Sequence, residues 1–492
     1  MNRIEFPKQI IECENFIGGS WQAASGSLMD VHSPYTGKVV GRMRESSAED
    51  IAKAVAAASQ AQPGWEATPL KERTQVMFRF REYLLREIDA IANMVSLENG
   101  KTLGEARAGV MKGIEVLEYA LSLQNMDEGG RMEVSRGVFC EYRRKPLGVV
   151  AGITPFNFPA MVPMWMIPTA LTLGNSFILK PSEKTPLTTA LLVKGLQEAG
   201  LPDGVLNVVQ GARDAVEAIT QAPEIKAIGF VGSTKVARIV YAAGTSHYKR
   251  VLALGGAKNH LILLPDADVE MSGTGISDSF TGCAGQRCMA ASVLLAVGDV
   301  DHIIEKIKAR AASLTLGENM GAVITKEQVD FLKGAIGRAE EAGARIILDG
   351  RNAKPLPQYE GGFWLGPTIL DHVDPKSQAA REELFGPILS IIRCKNISEA
   401  IAIENSNPYG NAASIFTSNG ALAEKVASEA SAAMIGINVG IPVPREPFSF
   451  GGMNDSKFGY GDITGKNSLN FWSVLRKITT KWEMQSDHNW MS

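Results

Sequence analysis

The sequence has 492 residues, of which 45% are hydrophobic and 21% charged, with a formal net charge of −3. This composition is typical of a globular protein and excludes a disordered chain, and the balance of 50 basic and 53 acidic side chains argues against a nucleic-acid partner. Five cysteines form no dense disulfide framework, and the charged N-terminal segment lacks the apolar core of a secretory signal. We therefore expect a cytoplasmic protein of two or three domains, at roughly 150 residues each.

The first third of the chain has apolar residues at three- and four-residue spacing, which predicts amphipathic helices over residues 48–60, 70–95 and 103–123. From Gly148 onward, short β-branched runs alternate with helical stretches, which predicts a parallel sheet with right-handed crossovers. The predicted strands of this sheet are 149–153, 176–179, 205–209, 227–231 and 250–254, and the helices between them are 160–173, 187–199, 212–221 and 235–245.

The uncharged stretch from Pro146 to Leu179 lies within this region and is long enough, on a simple count, to cross a bilayer. Proline and glycine residues interrupt it, so we expect a buried strand, a turn and a buried helix, and no membrane span. The interrupting residues are Pro155, Pro159, Pro163, Pro168 and Gly174.

A second α/β unit follows, with predicted strands at 293–297, 345–348, 388–393, 413–416 and 434–438 and predicted helices at 300–313 and 326–342. Two strand-like segments, 138–144 and 471–482, belong to neither unit. They are expected to pair with each other or across a subunit interface, since an exposed strand edge favours a partner.

A nucleotide site in such a sheet lies at the carboxyl ends of the strands. No Gly-x-Gly-x-x-Gly or phosphate-loop motif follows a predicted strand. Strand 227–231 does lead into Gly232-Ser233-Thr234 and a helix, where main-chain N–H groups could meet a phosphate. The same three residues also suit an ordinary helix N-cap, so this segment alone leaves both interpretations open.

Another predicted strand ends in Lys180, with Glu183 three residues later, at the same edge of the sheet. Lys180 could hold ribose hydroxyls or phosphate, and Glu183 could accept a hydrogen bond from a ribose 2′-OH, as acidic residues do in dinucleotide sites. The alternative is a solvated loop, which this segment on its own favours.

Cys288 is the candidate nucleophile, because it lies in a loop of small residues beside Arg287, and a nearby cation lowers the pKa of a thiol. The alternative is a buried cysteine that packs as a small apolar group. Cys283 is the competing thiol, but its sequence neighbours offer no activation. Six scattered histidines give no metal-binding spacing, so we expect no metal.

Five segments taken together resemble the aldehyde dehydrogenase superfamily. They occur in the family's order over almost the entire chain, although each segment alone is weak evidence for the family. They are Pro155-Phe156-Asn157-Phe158-Pro159, Leu179-Lys180-Pro181-Ser182-Glu183, Gly229-Phe230-Val231-Gly232-Ser233-Thr234, Gly285-Gln286-Arg287-Cys288 and Glu383-Leu384-Phe385-Gly386-Pro387.

This resemblance implies an α/β fold of the aldehyde dehydrogenase type. It has a Rossmann-type NAD-binding domain over residues 1–125 and 148–256 and an α/β catalytic domain over 257–440. A small β subdomain for oligomerisation comprises 126–147 and 467–485. We therefore expect a homo-oligomer, a dimer or a tetramer.

The resemblance also implies site residues. It places the thioester on Cys288 and the oxyanion at Asn157 and the Cys288 main-chain N–H, where donors meet the charge that develops. It places Lys180 and Glu183 on the adenosine ribose, and Glu183 favours NAD because a carboxylate repels a 2′-phosphate. It places Gly232 and Ser233 by the pyrophosphate and Glu383 on the nicotinamide ribose. Phe156 is the remaining residue implied to bind the cofactor.

Three further segments resemble one branch of the superfamily. They are Phe156-Asn157-Phe158-Pro159-Ala160-Met161-Val162-Pro163-Met164-Trp165, Gly256-Ala257-Lys258-Asn259-His260 and Gly285-Gln286-Arg287-Cys288-Met289-Ala290. By these segments the sequence is most similar to the coenzyme A-acylating methylmalonate-semialdehyde dehydrogenases. Hydrolytic relatives have a glutamate two residues before the Gly-Gly-Lys-like turn, and this glutamate activates water; we align its position with Leu254. Without such a base, the thiol of coenzyme A becomes the plausible acyl acceptor. The implied reaction oxidises malonate or methylmalonate semialdehyde with NAD and yields acetyl- or propionyl-coenzyme A and carbon dioxide.

The acid group of such a substrate requires cations. Arg287 matches the arginine of this branch, and a guanidinium suits a carboxylate; the alternative is that Arg287 supports the loop through an ion pair. A second arginine of the branch aligns with Lys112, which keeps the charge and loses the planar fork. Arg445 lies where the branch usually has an apolar loop, and it either adds an anion contact or pairs with Glu446.

Two other functions remain open at this stage. The first is a hydrolytic dehydrogenase for another anionic aldehyde, such as a sulfonate, a phosphonate or a longer semialdehyde, which requires a base in place of Leu254. The second is a catalytically silent structural protein on this fold, against which Cys288, Asn157 and Glu383 together argue.

Overall fold

The computed structural model describes residues 3–126 and 129–482. Residues 127–128 of the segment predicted for oligomerisation, and residues 483–485 at its end, lie outside the described residues, as do residues 1–2. The N-terminal part contains β1 (Ile11–Cys13), β2 (Asn15–Ile17), β3 (Ser20–Gln22), β4 (Leu28–His32), β5 (Val39–Arg44), α1 (Ala48–Ala67), α2 (Leu70–Arg86), α3 (Ile88–Asn99) and α4 (Leu103–Met126).

The middle part alternates strands and helices. Its elements are β6 (Gly130–Ser135), β7 (Val138–Pro146), β8 (Val149–Ile153), α5 (Met161–Thr172), β9 (Ser176–Lys180), α6 (Leu187–Glu198), β10 (Leu206–Val208), α7 (Arg213–Gln221), β11 (Ile225–Val231), α8 (Thr234–Ser246) and β12 (Arg250–Leu254).

The C-terminal part alternates in the same way and ends with a long strand. Its elements are β13 (Asn259–Leu263), α9 (Val269–Thr281), β14 (Ala291–Val297), α10 (Asp301–Ala312), α11 (Lys326–Glu341), β15 (Arg345–Leu348), β16 (Thr368–Asp371), α12 (Gln378–Arg381), β17 (Ile388–Cys394), α13 (Ile397–Asn405), β18 (Tyr409–Gly410), β19 (Ala412–Phe416), α14 (Gly420–Glu429), β20 (Met434–Ile437), β21 (Met453–Asn454), β22 (Lys457–Phe458), α15 (Gly465–Phe471) and β23 (Ser473–Lys481).

The first large sheet has the strand order β22-β12-β11-β8-β9-β10-β2-β3. The five strands from β12 to β10 are parallel, as their alternation with helices predicts. From β8 the chain continues to β9 and β10 on one side and then to β11 and β12 on the other. The strand order therefore reverses between β8 and β11, and the connections that leave these two strands diverge, which opens a crevice at their carboxyl ends.

The uncharged stretch between residues 146 and 179 forms β8, α5 and most of β9, as predicted. All residues of these three elements are buried, so the stretch is the interior of the sheet and its covering helix. In the part of the chain that the structure describes, no helix combines the length and apolar character needed to cross a membrane.

The second large sheet has the order β15-β16-β17-β14-β13-β19-β20, parallel except at the β15 edge. It contains two strands that the sequence pattern did not indicate, β13 and β16. The apolar run of β13 follows closely on that of β12 and lacks a separating helix, and β16 is only four residues long. The strand order again reverses next to β13, between β14 and β19.

The two segments left over in the sequence pair with each other within the chain. Strand β23 lies antiparallel to β7 over nine residue pairs, and β6 pairs on the other side of β7. This three-stranded sheet has two open edges, β6 and β23. Met132 is 68% exposed and Val134 52% exposed on the β6 edge, so apolar side chains line it.

Most predicted bounds agree with the structure to within one or two residues, but α1 continues to Ala67 and α4 to Met126, beyond their predicted ends at residues 60 and 123. The helix predicted over 70–95 is wrong in that it forms two helices. It is divided at Glu87, whose φ of −97° and ψ of 12° depart from helical values and interrupt the helical hydrogen bonding between α2 and α3. The five N-terminal strands were not predicted either. Four of them, β1, β3, β4 and β5, contain exposed or half-buried residues, so they lack the continuous apolar run by which the strands of the parallel sheet were found.

Candidate active site

A cavity of about 720 Å³ occupies the crevice between β8 and β11. It is lined by the residues that follow these strands and by residues of β9 and of the second unit. All residues assigned to the cofactor or to the oxyanion from the sequence line this cavity, together with Cys288, namely Phe156, Asn157, Lys180, Glu183, Gly232, Ser233 and Glu383.

Lys180 is the last residue of β9, and it is only 4% exposed. Its Nζ donates a hydrogen bond to the main-chain carbonyl of Gly211 at 2.6 Å and lies 3.6 Å from the Glu183 carboxylate. Burial lowers the pKa of Lys180, and the charge of Glu183 opposes this effect. The segment is therefore not a solvated loop, because its cation is fixed inside the mouth of the sheet.

The start of α8 borders the same cavity. Ser233 is the N-cap, and its side chain makes no capping hydrogen bond, so the first turn of this thirteen-residue helix has no side-chain acceptor of its own. Thr234 accepts a hydrogen bond from Gly256 N–H at 2.8 Å and donates one to the carbonyl of Asp455 at 3.1 Å. The helix start is thus fixed in place while its N–H groups remain available to an anion.

Glu383 reaches this cavity from the second unit, just after α12. Its Oε1 accepts a hydrogen bond from Ala257 N–H at 2.9 Å, and its carboxylate lies against Gly256, where a Cβ atom would come within 2.2 Å of Oε2. Burial raises the pKa of Glu383 to about 7, although the Ala257 N–H and the charge of Lys258 act in the opposite direction. A glycine at position 256 is therefore required for this carboxylate to approach.

Cys288 lies in the loop that follows α9. The loop starts with a tight turn over Gly282–Gly285, in which Cys283 and Ala284 have a left-handed conformation with φ of 53°. The main-chain carbonyl of Cys288 accepts hydrogen bonds from the Nδ2 atoms of Asn259 and Asn411, both at 2.8 Å. The start of β13 and the residue before β19 therefore hold Cys288 at the second reversal of strand order.

The thiol of Cys288 is partly buried. Burial raises its pKa to about 12, and the charge of Glu383 acts in the same direction, whereas the charges of Arg287 and Lys101 oppose the increase. The sulfur is thus a protonated thiol at neutral pH in the protein without substrate.

Asn157 is 5% exposed and lies in the turn that follows β8. Its Nδ2 donates a hydrogen bond to the carbonyl of Gln286 at 3.1 Å, which brings its carboxamide to the loop of the nucleophile. The main-chain carbonyl of Asn157 accepts a hydrogen bond from the ammonium group of Lys101.

A second cavity, of about 610 Å³, lies on the other side of Cys288. Arg287, Lys112 and Arg445, the cations predicted for the substrate, all line it. Of the residues that the structure describes, Cys288 alone lines both cavities. Cys288 therefore borders both the cofactor-side and the substrate-side cavity.

The cations of the second cavity differ in their partners. Arg287 Nη2 lies 3.5 Å from the Glu105 carboxylate, and Lys112 Nζ lies 3.0 Å from that of Glu115 and 3.5 Å from that of Glu446. The pairing of Arg445 with Glu446 that the sequence left open is not found. Arg445 is exposed, and within the described ranges it forms no ion pair.

No carboxylate occurs at the turn before Gly255. Leu254, the position aligned with the general base, is buried among apolar side chains, and so is Ala253, which lies two residues before Gly255. Either placement gives an aliphatic residue. Within residues 3–126 and 129–482, no group of three or more His, Cys, Asp or Glu side chains is arranged to hold a metal ion.

The sequence profile of the aldehyde dehydrogenase family matches residues 21–478. The chain belongs to the aldehyde dehydrogenase family. Malonate-semialdehyde dehydrogenase 2 of Geobacillus kaustophilus is 40% identical to it over 478 residues, which are 95% of this chain and 98% of that protein. The malonate-semialdehyde dehydrogenase of Pseudomonas aeruginosa is 40% identical over 488 residues, 96% of this chain and 97% of that one.

Two crystal structures of the aldehyde dehydrogenase family are similar over nearly the full length. A Sinorhizobium meliloti protein in complex with NAD, provisionally named a methylmalonate-semialdehyde dehydrogenase, has a TM-score of 0.95 and 39% identity and covers 98% of this chain and 100% of its own. The methylmalonate-semialdehyde dehydrogenase of Oceanimonas doudoroffii has a TM-score of 0.95 and 38% identity, with 97% and 99% coverage.

The residues that support the aldehyde dehydrogenase site from behind were not identified from the sequence. Asn411 and Asn259 hold the carbonyl of Cys288, and Asn99 and Lys101 hold the segment of Asn157. Asn259 begins β13, shortly after the predicted strand 250–254, and this position was the one signal available. The other three lie in unremarkable sequence, and only the fold brings them to the site.

Proposed function

We propose that this aldehyde dehydrogenase oxidises malonate or methylmalonate semialdehyde with NAD and transfers the acyl group from Cys288 to coenzyme A. The position of Cys288 between two cavities carries this proposal. One cavity has the elements that suit a dinucleotide, and the other has cations that suit a small anionic aldehyde. The names of the relatives, and the NAD in one of the similar structures, support the same conclusion.

The cofactor-side cavity fits NAD in three respects. The N–H groups at the start of α8 suit a pyrophosphate, the buried Lys180 and the adjacent Glu183 suit a ribose, and the carboxylate of Glu383 suits the second ribose. NAD, when bound, supplies the acceptor for the hydride. Glu183 favours NAD over its 2′-phosphorylated form because two negative charges repel each other.

The chain's own residues carry the covalent step. Cys288 Sγ attacks the aldehyde carbon and releases its proton to water, and the carbonyl oxygen becomes an oxyanion stabilised by Asn157 Nδ2 and the Cys288 N–H. Loss of hydride from the carbon converts the adduct to a thioester on Cys288. The thiolate of coenzyme A then displaces Cys288 Sγ, which takes up a proton and returns to the thiol.

Loss of carbon dioxide completes the proposed reaction of malonate semialdehyde. The bond between the substrate carboxylate and the adjacent carbon breaks, its electron pair stays on that carbon, and a proton replaces the lost carbon dioxide. The coenzyme A thiol releases one proton and the substrate carbon takes up one, so there is no net release or uptake of protons. The products are acetyl-coenzyme A and carbon dioxide, or propionyl-coenzyme A for the methylated substrate.

The absence of a carboxylate at Leu254 and Ala253 favours coenzyme A over water as the acceptor. One observation supports the hydrolytic alternative for another anionic aldehyde. Glu383 lines the cavity of Cys288, and its pKa of about 7 is that of an effective general base near neutral pH. A requirement for coenzyme A therefore distinguishes the acylating function from the hydrolytic one.

The test is NADH formation by the purified protein with malonate semialdehyde, with and without coenzyme A, beside Cys288→Ala and the matched control Cys283→Ala. Steady turnover only with coenzyme A, lost in Cys288→Ala and kept in Cys283→Ala, is the expected result. Equal turnover without coenzyme A would reject the acylating role in favour of hydrolysis. Failure to bind NAD in a titration, with an unreactive Cys288 thiol, would favour a structural protein.

We further propose that the chain forms a dimer or a tetramer in the cytoplasm through the sheet of β6, β7 and β23. Its two open edges, with the exposed Met132 and Val134, support an interface there. Five free cysteines fit a reducing compartment. Light scattering of the purified protein measures the oligomeric state, and a monomer would reject this assembly.

A further inference from the structure

A buried ammonium group lies next to the loop of the nucleophile. Lys101 follows α3, and its side chain is only 2% exposed. In the described part of the chain no carboxylate forms an ion pair with it; its Nζ donates to the main-chain carbonyl of Asn157 and, at 3.2 Å, to Oδ1 of Asn99. Burying a charge is costly, and the Glu105 carboxylate acts on this ammonium group only from beyond ion-pair distance, so these contacts must offset part of the penalty.

The segment of Lys101 holds the turn that carries Asn157 at two consecutive carbonyl groups. Asn99 Nδ2 donates a hydrogen bond to the carbonyl of Phe156 at 2.8 Å, and Lys101 Nζ donates to the next carbonyl, that of Asn157. Gly100, between them, has a φ of 91°, a left-handed conformation that ends α3 and lets both side chains reach the same turn.

The ammonium group also lies 3.9 Å from the centroid of the Phe158 ring. A cation over an aromatic face is attracted by the ring quadrupole. Residues 156, 157 and 158 are therefore all restrained by Asn99 and Lys101.

We propose that Lys101 is a positioning residue that orients the carboxamide of Asn157 toward the oxyanion. This inference rests on the proposed function, in which Asn157 Nδ2 stabilises that charge. Nδ2 carries two N–H groups, and the one that binds the carbonyl of Gln286 at 3.1 Å leaves the other for the substrate. A donor stabilises an oxyanion only if its N–H points at the developing charge, so a freed Asn157 main chain weakens the stabilisation.

Lys101 has a second possible mode of action, which experiment can separate from the first. Its charge opposes the increase in the pKa of the Cys288 thiol caused by burial. An effect through the thiolate does not require Asn157, whereas a positioning effect does. The two modes therefore differ in whether the effect of removing Lys101 depends on Asn157.

A double-mutant cycle of Lys101→Met and Asn157→Ala makes this distinction. The burst of nitrophenolate from 4-nitrophenyl acetate reports acylation of Cys288 through a tetrahedral oxyanion and needs neither NAD nor coenzyme A. We expect Lys101→Met to slow the burst about tenfold to a hundredfold in the wild-type background, and by less than about twofold in the Asn157→Ala background. The burst remains measurable if the semialdehyde or coenzyme A assignment fails, so the two failures are distinguishable.

Two further variants support the cycle. Lys101→Arg keeps the charge and is expected to restore most of the rate, and Lys326→Met, an exposed lysine at the start of α11, is the control that leaves the burst unchanged. If Lys101→Met does not fold, Asn99→Ala removes a contact of the same segment and is expected to show the same dependence on Asn157. Equal slowing in both backgrounds, or no slowing in the wild-type background, would overturn the positioning role.

Discussion

Arg287 donates a hydrogen bond from Nε to the Sγ atom of Cys283 at 3.1 Å. The guanidinium beside Cys288 therefore contacts the second thiol of the loop, and it also lies 3.5 Å from the Glu105 carboxylate. Cys283 has no activating neighbour in sequence, yet the tight turn of Gly282–Gly285 brings a cation to it. Any substrate carboxylate must compete with these two partners for Arg287.

Replacement of Cys283 by alanine is expected to free Arg287 for the substrate. The KM for malonate semialdehyde should fall about threefold to tenfold with little change in kcat, because one competing acceptor is removed. Cys283→Ser keeps an acceptor and serves as the matched control. Steady-state kinetics with propanal as a neutral substrate check the effect, and an equal change for both aldehydes would contradict it.

Alkylation of Cys288 by iodoacetamide is expected to rise about tenfold per pH unit from pH 7 to about 10, without a plateau. The reason is that burial and the charge of Glu383 raise the pKa of the thiol to about 12. Glu383→Gln removes one of these causes, so its rate at pH 8 should exceed that of the wild type. The exposed neighbour Glu382→Gln is the control, and a plateau below pH 9 would contradict the assignment.

Arg445→Gln is expected to raise the KM for malonate semialdehyde about threefold to tenfold at low salt. The increase should be smaller at high salt, because dissolved ions screen an exposed cation. Arg445 lines the substrate-side cavity without an ion pair of its own in the described structure, unlike Lys112 and Arg287. Arg476→Gln, on an exposed position of β23, is the matched control. An unchanged KM would show that Arg445 does not contact the anionic group.

Glu98 governs a pH dependence of stability far from the nucleophile. Its fully buried carboxyl accepts hydrogen bonds from the N–H groups of Leu187 and Thr188 at 2.7 and 2.9 Å, at the start of α6. Burial raises its pKa to about 7. Because the folded value exceeds the unfolded one, this contribution to stability is complete below about pH 4 and is lost as the pH rises through 7.

Glu98→Gln removes this titration and is expected to gain stability relative to the wild type between pH 5 and pH 8, by up to about 3 kcal/mol. The unfolding temperatures of both proteins at the two pH values measure the gain. Glu72→Gln, at an exposed position in α2, should show no such trend. A difference that stays constant with pH would mean that Glu98 is ionised throughout.

The alternation of apolar runs and helices was sufficient to predict the parallel core of both sheets. Strands such as β8 and β12 consist entirely or mainly of buried apolar residues, so their positions follow from local composition alone. The motifs around Asn157, Lys180, Glu183, Cys288 and Glu383 likewise led to residues that line a single cavity. In these cases a short segment of the sequence contains the information that the prediction needs.

Only the tertiary structure decided how charges pair and what supports the site. Lys101, Asn99 and Asn411 act on main-chain carbonyl groups that are 56, 57 and 123 residues away, a relation that no local pattern encodes. The same holds for the partners of Arg287 and Lys112, because an ion pair depends on which helices and loops meet. The sequence by itself determined most elements of the two parallel sheets, the candidate nucleophile and the family resemblance. The packing of α3, α4 and the loop after α9 determined the electrostatics, since charge interactions depend on distance in space.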